Sequence, residues 1–168
     1  YTVLKHHKQT RRSEKSFNSE IGIPLTILGL KNGWLNPIKW IKNIIDGLLL
    51  ILLKTDFPEV LILEIGADRP GDIENISKWL KPDIVVFTAM GSTPVHVEYF
   101  SNTDAVVKEK SFLVKALKDT GVLIYTEDDP RSVDMKSHTK AERYSFGFLG
   151  GANYKASHDE IAYDGKGD

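Results

Sequence analysis

Three short runs of the chain are apolar almost without interruption: Val60-Leu61-Ile62-Leu63, Ile84-Val85-Val86-Phe87 and Val122-Leu123-Ile124-Tyr125. They are rich in β-branched residues and too short for helices, so each reads as a strand. A strand with one wet face alternates polar and apolar residues. An unbroken run predicts a strand covered on both faces, as in a parallel sheet. Between the runs the apolar positions change to helical spacing. Asn36 is a good N-cap and Pro37 suits a first helical position. Ile38, Ile41, Ile45, Leu48 and Leu52 then recur at steps of three and four. Gly71-Asp72 opens a shorter helix through Ile73, Ile76 and Leu80, stopped before Pro82, and a third helix runs from about Thr103 to Lys118. Strand, helix and strand in this order predict an α/β domain with crossover connections. Tyr144 to Phe148 predicts a further strand and Gly150-Gly151 a turn, after which the chain from Tyr154 either starts a β-hairpin or frays.

Composition narrows the classes. The 168 residues are 41% apolar and 27% charged, a globular balance rather than a disordered one. A net charge of −1 argues against nucleic acid held by bulk charge. There is no cysteine, which excludes a disulfide scaffold, a cysteine metal site and a cysteine nucleophile. The greasiest stretch, Leu48 to Leu53, is far shorter than the ~20 residues of a membrane span. Lys5, Lys8, Arg11, Arg12 and Lys15 make a basic start, read as a solvated helix face and loop. The opening Tyr1-Thr2-Val3-Leu4 reads as the middle of an element, so a piece of a longer protein is expected.

Ligands of an open parallel sheet bind beyond the carboxyl ends of its strands. The three runs exit into Glu64-Ile65-Gly66-Ala67-Asp68, into Thr88-Ala89-Met90-Gly91 with His96-Val97-Glu98 soon after, and into Thr126-Glu127-Asp128-Asp129-Pro130. Carboxylates and a neutral imidazole are fit ligands for a hard divalent cation carrying a phosphate. Singly, each is weak: an acid at a strand end is usually a solvated residue or a cap, and Asp128-Asp129-Pro130 alone is an ordinary turn. Their joint appearance at one sheet edge is what points to a site. Lys110 is sharper. Val106, Lys110, Leu113 and Leu117 share one helical stripe, where a lysine either snorkels to water or has its charge put to use. The sequence contains no G-x-x-x-x-G-K-[ST] phosphate loop, no G-x-G-x-x-G and no G-x-S-x-G.

Several segments together resemble the Mur ligases. Ser16-Phe17-Asn18-Ser19-Glu20-Ile21-Gly22-Ile23-Pro24-Leu25-Thr26 is similar to their N-F-N-N-x-I-G-x-P-x-T segment. Leu63 to Ala67 is similar to their L-E-x-G-A strand end, continuing into Pro70-Gly71-Asp72-Ile73. Lys81-Pro82-Asp83-Ile84, His96-Val97-Glu98-Tyr99-Phe100, Val107-Lys108-Glu109-Lys110 and Asp128-Asp129-Pro130 follow in the family's order. The match runs from about Lys15 to the C-terminus and is interrupted by an insertion-like helix around Asn32–Lys54. Within the family it leans to the branch that joins D-alanyl-D-alanine to a UDP-muramoyl-tripeptide.

The resemblance implies a three-layer α/β sandwich with a mostly parallel sheet. It makes residues 1–168 a partial central ATP-binding domain, without the phosphate loop or the N- and C-terminal domains. It implies a cytoplasmic, monomeric parent that uses ATP and Mg2+. ATP would phosphorylate the terminal carboxylate of the UDP-muramoyl-peptide, and the amine of D-alanyl-D-alanine would displace the phosphate. Carried over by position, Glu64 and His96 become magnesium ligands, and Lys110 the lysine that many members carbamylate. His96 and Lys110 are also the catalytic candidates. Asn18, Ser19 and Thr26 fall near the muramoyl substrate, and Thr126, Asp128 and Asp129 near the nucleotide. Ser16, Ser19, Ala89 and Thr126 stand where the family pattern has asparagine. The chain alone is expected to be inactive. A folylpolyglutamate-synthase-like ligase, and a non-catalytic α/β module that has lost its phosphate loop, are the alternative readings.

Overall fold

The computed structural model describes residues 1–13, 17–53, 57–90, 99–148 and 150–157. The chain divides into two compact units, Tyr1–Ala67 and Asp68–Asp168.

The first unit begins with a 3-10 turn and contains β1 (Thr10–Arg12), α1 (Gly22–Leu28), α2 (Pro37–Leu52) and β2 (Val60–Ile62). β1 and β2 pair in parallel, Thr10 opposite Val60 and Arg12 opposite Ile62. The basic start is therefore not only a solvated loop and helix face. Arg11 lies on a strand, donates from Nη1 to the carbonyl of Ile27 at 2.6 Å, and stacks over the Phe57 ring. The chain can turn into α1 because residue 22 is glycine: a Cβ there would sit 2.7 Å from the Phe17 backbone. Gly29, left-handed at φ 71°, ends the helix and returns its N–H to the carbonyls of Leu25 and Thr26.

α2 starts as its sequence predicts. The Asn36 Oδ1 accepts the N–H groups of Ile38 and Lys39, with Pro37 in the first turn. Its inward side is built from small, polar and aromatic residues. Gly47 is buried against Leu28, Asn43 donates to the Lys31 carbonyl, and the Trp40 indole donates to the Trp34 carbonyl. The stripe that marks the helix in the sequence, Ile38, Ile41, Ile45, Leu48 and Leu52, is exposed throughout.

The second unit contains α3 (Asp72–Trp79), β3 (Ile84–Phe87), α4 (Thr103–Lys115), β4 (Val122–Thr126), α5 (Pro130–Asp134), β5 (Glu142–Gly147) and β6 (Tyr154–Lys155). Its sheet runs β3-β4-β5-β6, all parallel, with Phe87 opposite Tyr125 and Tyr125 opposite Ser145. The α/β class with parallel strands and intervening helices is as expected. Val85, Phe87, Leu123 and Tyr125 turn one sheet face onto Val114 of α4, onto Leu117 just past its end and onto Met135, forming the core.

Three expectations are corrected. The three apolar runs do not share one sheet: among the described residues β2 pairs only with β1, in a two-stranded sheet separate from that of β3 and β4, so the Glu64 exit does not lie on their edge. β3 is covered on one face only: Ile84 and Val86 remain 58% and 59% exposed beside buried Val85 and Phe87. The final strand is no hairpin, because β6 pairs parallel to β5, Phe146 opposite Tyr154. Asn153 holds the connection by accepting the N–H and hydroxyl of Ser145 through Oδ1.

Candidate functional site

Parallel strands end on one edge of their sheet, so the segments leaving β3 and β4 meet there. Asp129 ties them together. Its Oδ2 accepts the N–H of Met90, beyond β3, at 2.8 Å. Its Oδ1 accepts the N–H of Arg131 at 3.0 Å and the guanidinium Nε–H at 3.2 Å. Burial by itself pushes this carboxyl up. The N–H groups of Met90 and Arg131 and the Arg131 charge outweigh it and hold the group below its ordinary value. Ser132 adds a second stitch, donating to the carbonyl of Phe87 and accepting the N–H of Thr126, both at 3.2 Å. The Asp-Asp-Pro segment is thus more than a turn: Asp129 is the N-cap of α5, with Pro130 in its first turn.

Asp128 is exposed, and its two carboxylate oxygens accept the N–H of Phe148 at 3.1 and 2.9 Å. A Cβ at residue 147 would stand 2.7 Å from that carboxylate, so glycine is what lets β5 and Asp128 approach. Thr126 is buried, and its hydroxyl accepts the N–H of Asp128 at 3.2 Å. The structure thus gathers Thr126, Asp128 and Asp129 at the edge where the sequence puts a ligand, with Asp128 turned to solvent.

Lys110 lies on α4 and is half-buried on the stripe of Val106, Val114 and Leu117. Burial lowers its pKa, and no carboxylate among the described residues pairs with it. Its neighbour Glu109 was missed by the sequence reading, although it lies three residues after Val106 and four before Leu113. That carboxylate is 5% exposed and accepts the N–H groups of Ile73 and Glu74 at 2.8 and 3.0 Å. It therefore caps α3, whose own N-cap, Gly71, has no side chain to do so. α4 is pinned to α3 one residue before Lys110. Glu109→Ala is expected to destabilise the protein by about 2–4 kcal/mol, since one buried and one part-buried amide lose their acceptor. Glu109→Gln, which keeps an acceptor, is expected to cost less than half as much; urea unfolding of the two variants checks this.

In the first unit, Glu64 follows β2 with its side chain exposed and its N–H donating to the Ser13 hydroxyl at 3.2 Å. Gly66 donates to the carbonyl of Asn18 at 3.3 Å, and a Cβ on it would lie 2.9 Å from the Asn18 amide nitrogen. The segments around Asn18 and Glu64 are thus packed together through a glycine. Ser19 is exposed, and its carbonyl accepts the Ile23 N–H at the head of α1. Thr26 is buried, its hydroxyl donating to the Gly22 carbonyl at 2.9 Å. It lines a cavity of about 180 Å³ with Phe17, Leu25, Arg11, Arg12 and Lys31.

His96 lies outside the described residues. Tyr99, soon after it, places its ring 5.3 Å from the Arg69 guanidinium, in the loop that Asp72 closes by accepting the N–H groups of Asp68 and Arg69. Among the described residues no three acidic or imidazole groups cluster as a metal site, and no helix is long and apolar enough to cross a membrane.

Comparison with known proteins agrees with the fold. Residues 40–167 match the family described as the Mur ligase middle domain. The UDP-N-acetylmuramoyl-tripeptide–D-alanyl-D-alanine ligase of Bacillus subtilis is 25% identical over 130 residues, 77% of this chain and 23% of the relative. The ligase of the same name from Mycobacterium leprae is 30% identical over 127 residues, 76% of this chain and 20% of the relative. The chain therefore spans only about a fifth to a quarter of these curated relatives. Among solved structures, the MurF ligase of Thermotoga maritima in complex with ADP superposes with a TM-score of 0.62 at 26% identity, over 89% of this chain and 29% of that one. MurF from Acinetobacter baumannii, at 19% identity and a TM-score of 0.63, supports the fold. A family match over most of the chain makes it a member of the Mur ligase family, of its middle domain.

Proposed function

We propose that this chain is the central ATP-binding part of a cytoplasmic ligase that joins D-alanyl-D-alanine to a UDP-muramoyl-tripeptide through an acyl phosphate. The observation that carries the reading is Lys110. A half-buried, desolvated amine with no described carboxylate partner is costly to keep unless its chemistry is used. A lowered pKa leaves more of the amine neutral, the form that adds carbon dioxide to give a carbamate. That converts a cation into a carboxylate-like group. The donor types then fit magnesium: the exposed Glu64 carboxylate, the Lys110 carbamate, and His96. Magnesium, when bound, offsets charge on phosphate oxygens in phosphoryl transfer. The chain's own residues position the partners. Asp128 and the edge fixed by Asp129 face the nucleotide, and Asn18, Ser19 and Thr26 border the muramoyl substrate.

The test is phosphate release by the intact polypeptide that carries residues 1–168. The expected result is release requiring ATP, UDP-muramoyl-tripeptide and D-alanyl-D-alanine together. Release with a folate and glutamate instead would move the protein to the folylpolyglutamate-synthase-like branch. Failure to turn over either substrate set would leave a non-catalytic module.

A further inference from the structure

We propose that α2, with the Trp34-Leu35 tip before it, is an interfacial helix that lays the protein on an anionic bilayer surface. The usual arrangement of an amphipathic helix is reversed here. Its small and polar side, with Asn43 and Gly47, packs inward, and its aliphatic side is left in water. Ile38, Ile41, Ile44, Ile45, Leu48, Leu49, Ile51 and Leu52 are all exposed. At 100° per residue they cover an arc of roughly 160°, wider than the stripe a globular core needs.

The tip is held outward by its own bonds. Trp34 adopts φ 48°, an uncommon conformation for a bulky residue. Its N–H donates to Asn32 Oδ1 at 2.7 Å and its carbonyl accepts the Trp40 indole. The result leaves Trp34 76% and Leu35 102% exposed.

Charge selects the occupant. Residues 31–54 contain Lys31, Lys39, Lys42 and Lys54 against Asp46 alone. That is +4 − 1 = +3 in a chain of net −1, leaving −4 for the remainder. Asp46 is itself paired with Lys42. A second copy packed on this face would bring two +3 segments together, whereas acidic lipid headgroups attract them. An aliphatic face, a tryptophan at one end and flanking lysines are the chemistry of a helix lying in the headgroup region, and α2 is too short to span. The family match begins at residue 40 and takes in most of α2, but the inference uses only the exposed face and charge of this segment and does not depend on the ligase reading.

The experiment is flotation of the intact polypeptide with vesicles of phosphatidylcholine alone or mixed with phosphatidylglycerol. Binding to the mixed vesicles is expected, weakening several-fold in high salt. A blue shift of tryptophan emission that Trp34→Phe largely removes is expected with it. Leu48→Glu and Leu35→Glu, both at exposed positions, are expected to reduce binding about tenfold or more with far-UV circular dichroism and ligase activity unchanged. Absence of binding to either vesicle would overturn the proposal. So would a dimer in sedimentation that Leu48→Glu dissociates, or Trp34 emission (the part lost in Trp34→Phe) that is already blue-shifted without vesicles, which would mean that another part of the protein covers the face.

Discussion

On the proposed ligase function, Lys110→Met in the intact polypeptide is expected to lower kcat by on the order of 10²-fold or more and, at the same time, to raise stability. The two effects share one cause. Holding an ammonium on the stripe of Val106, Val114 and Leu117 disfavours the charged form, which is why its pKa falls. Because the folded chain holds this proton less tightly than the unfolded chain, Lys110 that is protonated and not carbamylated, as in protein freed of carbon dioxide, opposes folding at neutral pH. The penalty fades as pH rises through the lowered folded value and is gone above the ordinary value near 10.5. Methionine matches the length without the charge and removes the penalty. A small rise in Tm is expected, measured at pH 7 in protein freed of carbon dioxide and shrinking toward pH 10. Lys110→Arg separates charge from carbamate chemistry. Arginine retains a cation but cannot form the carbamate, so it is expected to be as inactive as methionine without being stabilised. Full activity in Lys110→Arg would show that the lysine merely reaches solvent.

Asp129→Ala is expected to destabilise the protein by about 3 kcal/mol, the sum of a lost helix cap and a buried amide left without an acceptor. The carboxylate serves Met90, Arg131 and α5 at once and is only 5% exposed. Asp129→Asn keeps an oxygen but loses the charge, and is expected to cost less than half as much. The same bonds set an acid limit. A carboxyl whose folded pKa lies below its ordinary value near 3.8 contributes stability that is fully present above that value and drains away as pH falls through the folded one. Wild type is thus expected to lose stability below about pH 4 more steeply than Asp129→Asn, as read from urea midpoints between pH 5 and pH 2. Equal slopes would show that the Asp129 charge is not what the Met90 and Arg131 amides hold.

Much of the fold was legible because local chemistry is strong at those places. Asn36-Pro37 started a helix as its capping chemistry requires, and the runs at 84–87 and 122–125 became neighbouring parallel strands. β1 was hidden because Thr10-Arg11-Arg12 carries no apolar run, and its pairing with β2 is set by residues some fifty positions away. α1 was hidden by Gly22 and Pro24, poor interior helix residues that serve at its first turn.

The sequence by itself determined the class of the protein, since strand exits rich in carboxylate and glycine between buried helices are written in local order. It also marked Lys110, because one charge on an apolar stripe is visible in spacing alone. Only the tertiary structure decided what the other site residues do. Asp129 stitches two strand exits together, Glu109 caps a helix other than its own, and Gly66 is small because Asn18 lies against it. It alone decided which side of α2 meets water. Periodicity gives the stripes of a helix but not the direction of its neighbours, and that direction is fixed by contacts between residues far apart in the chain.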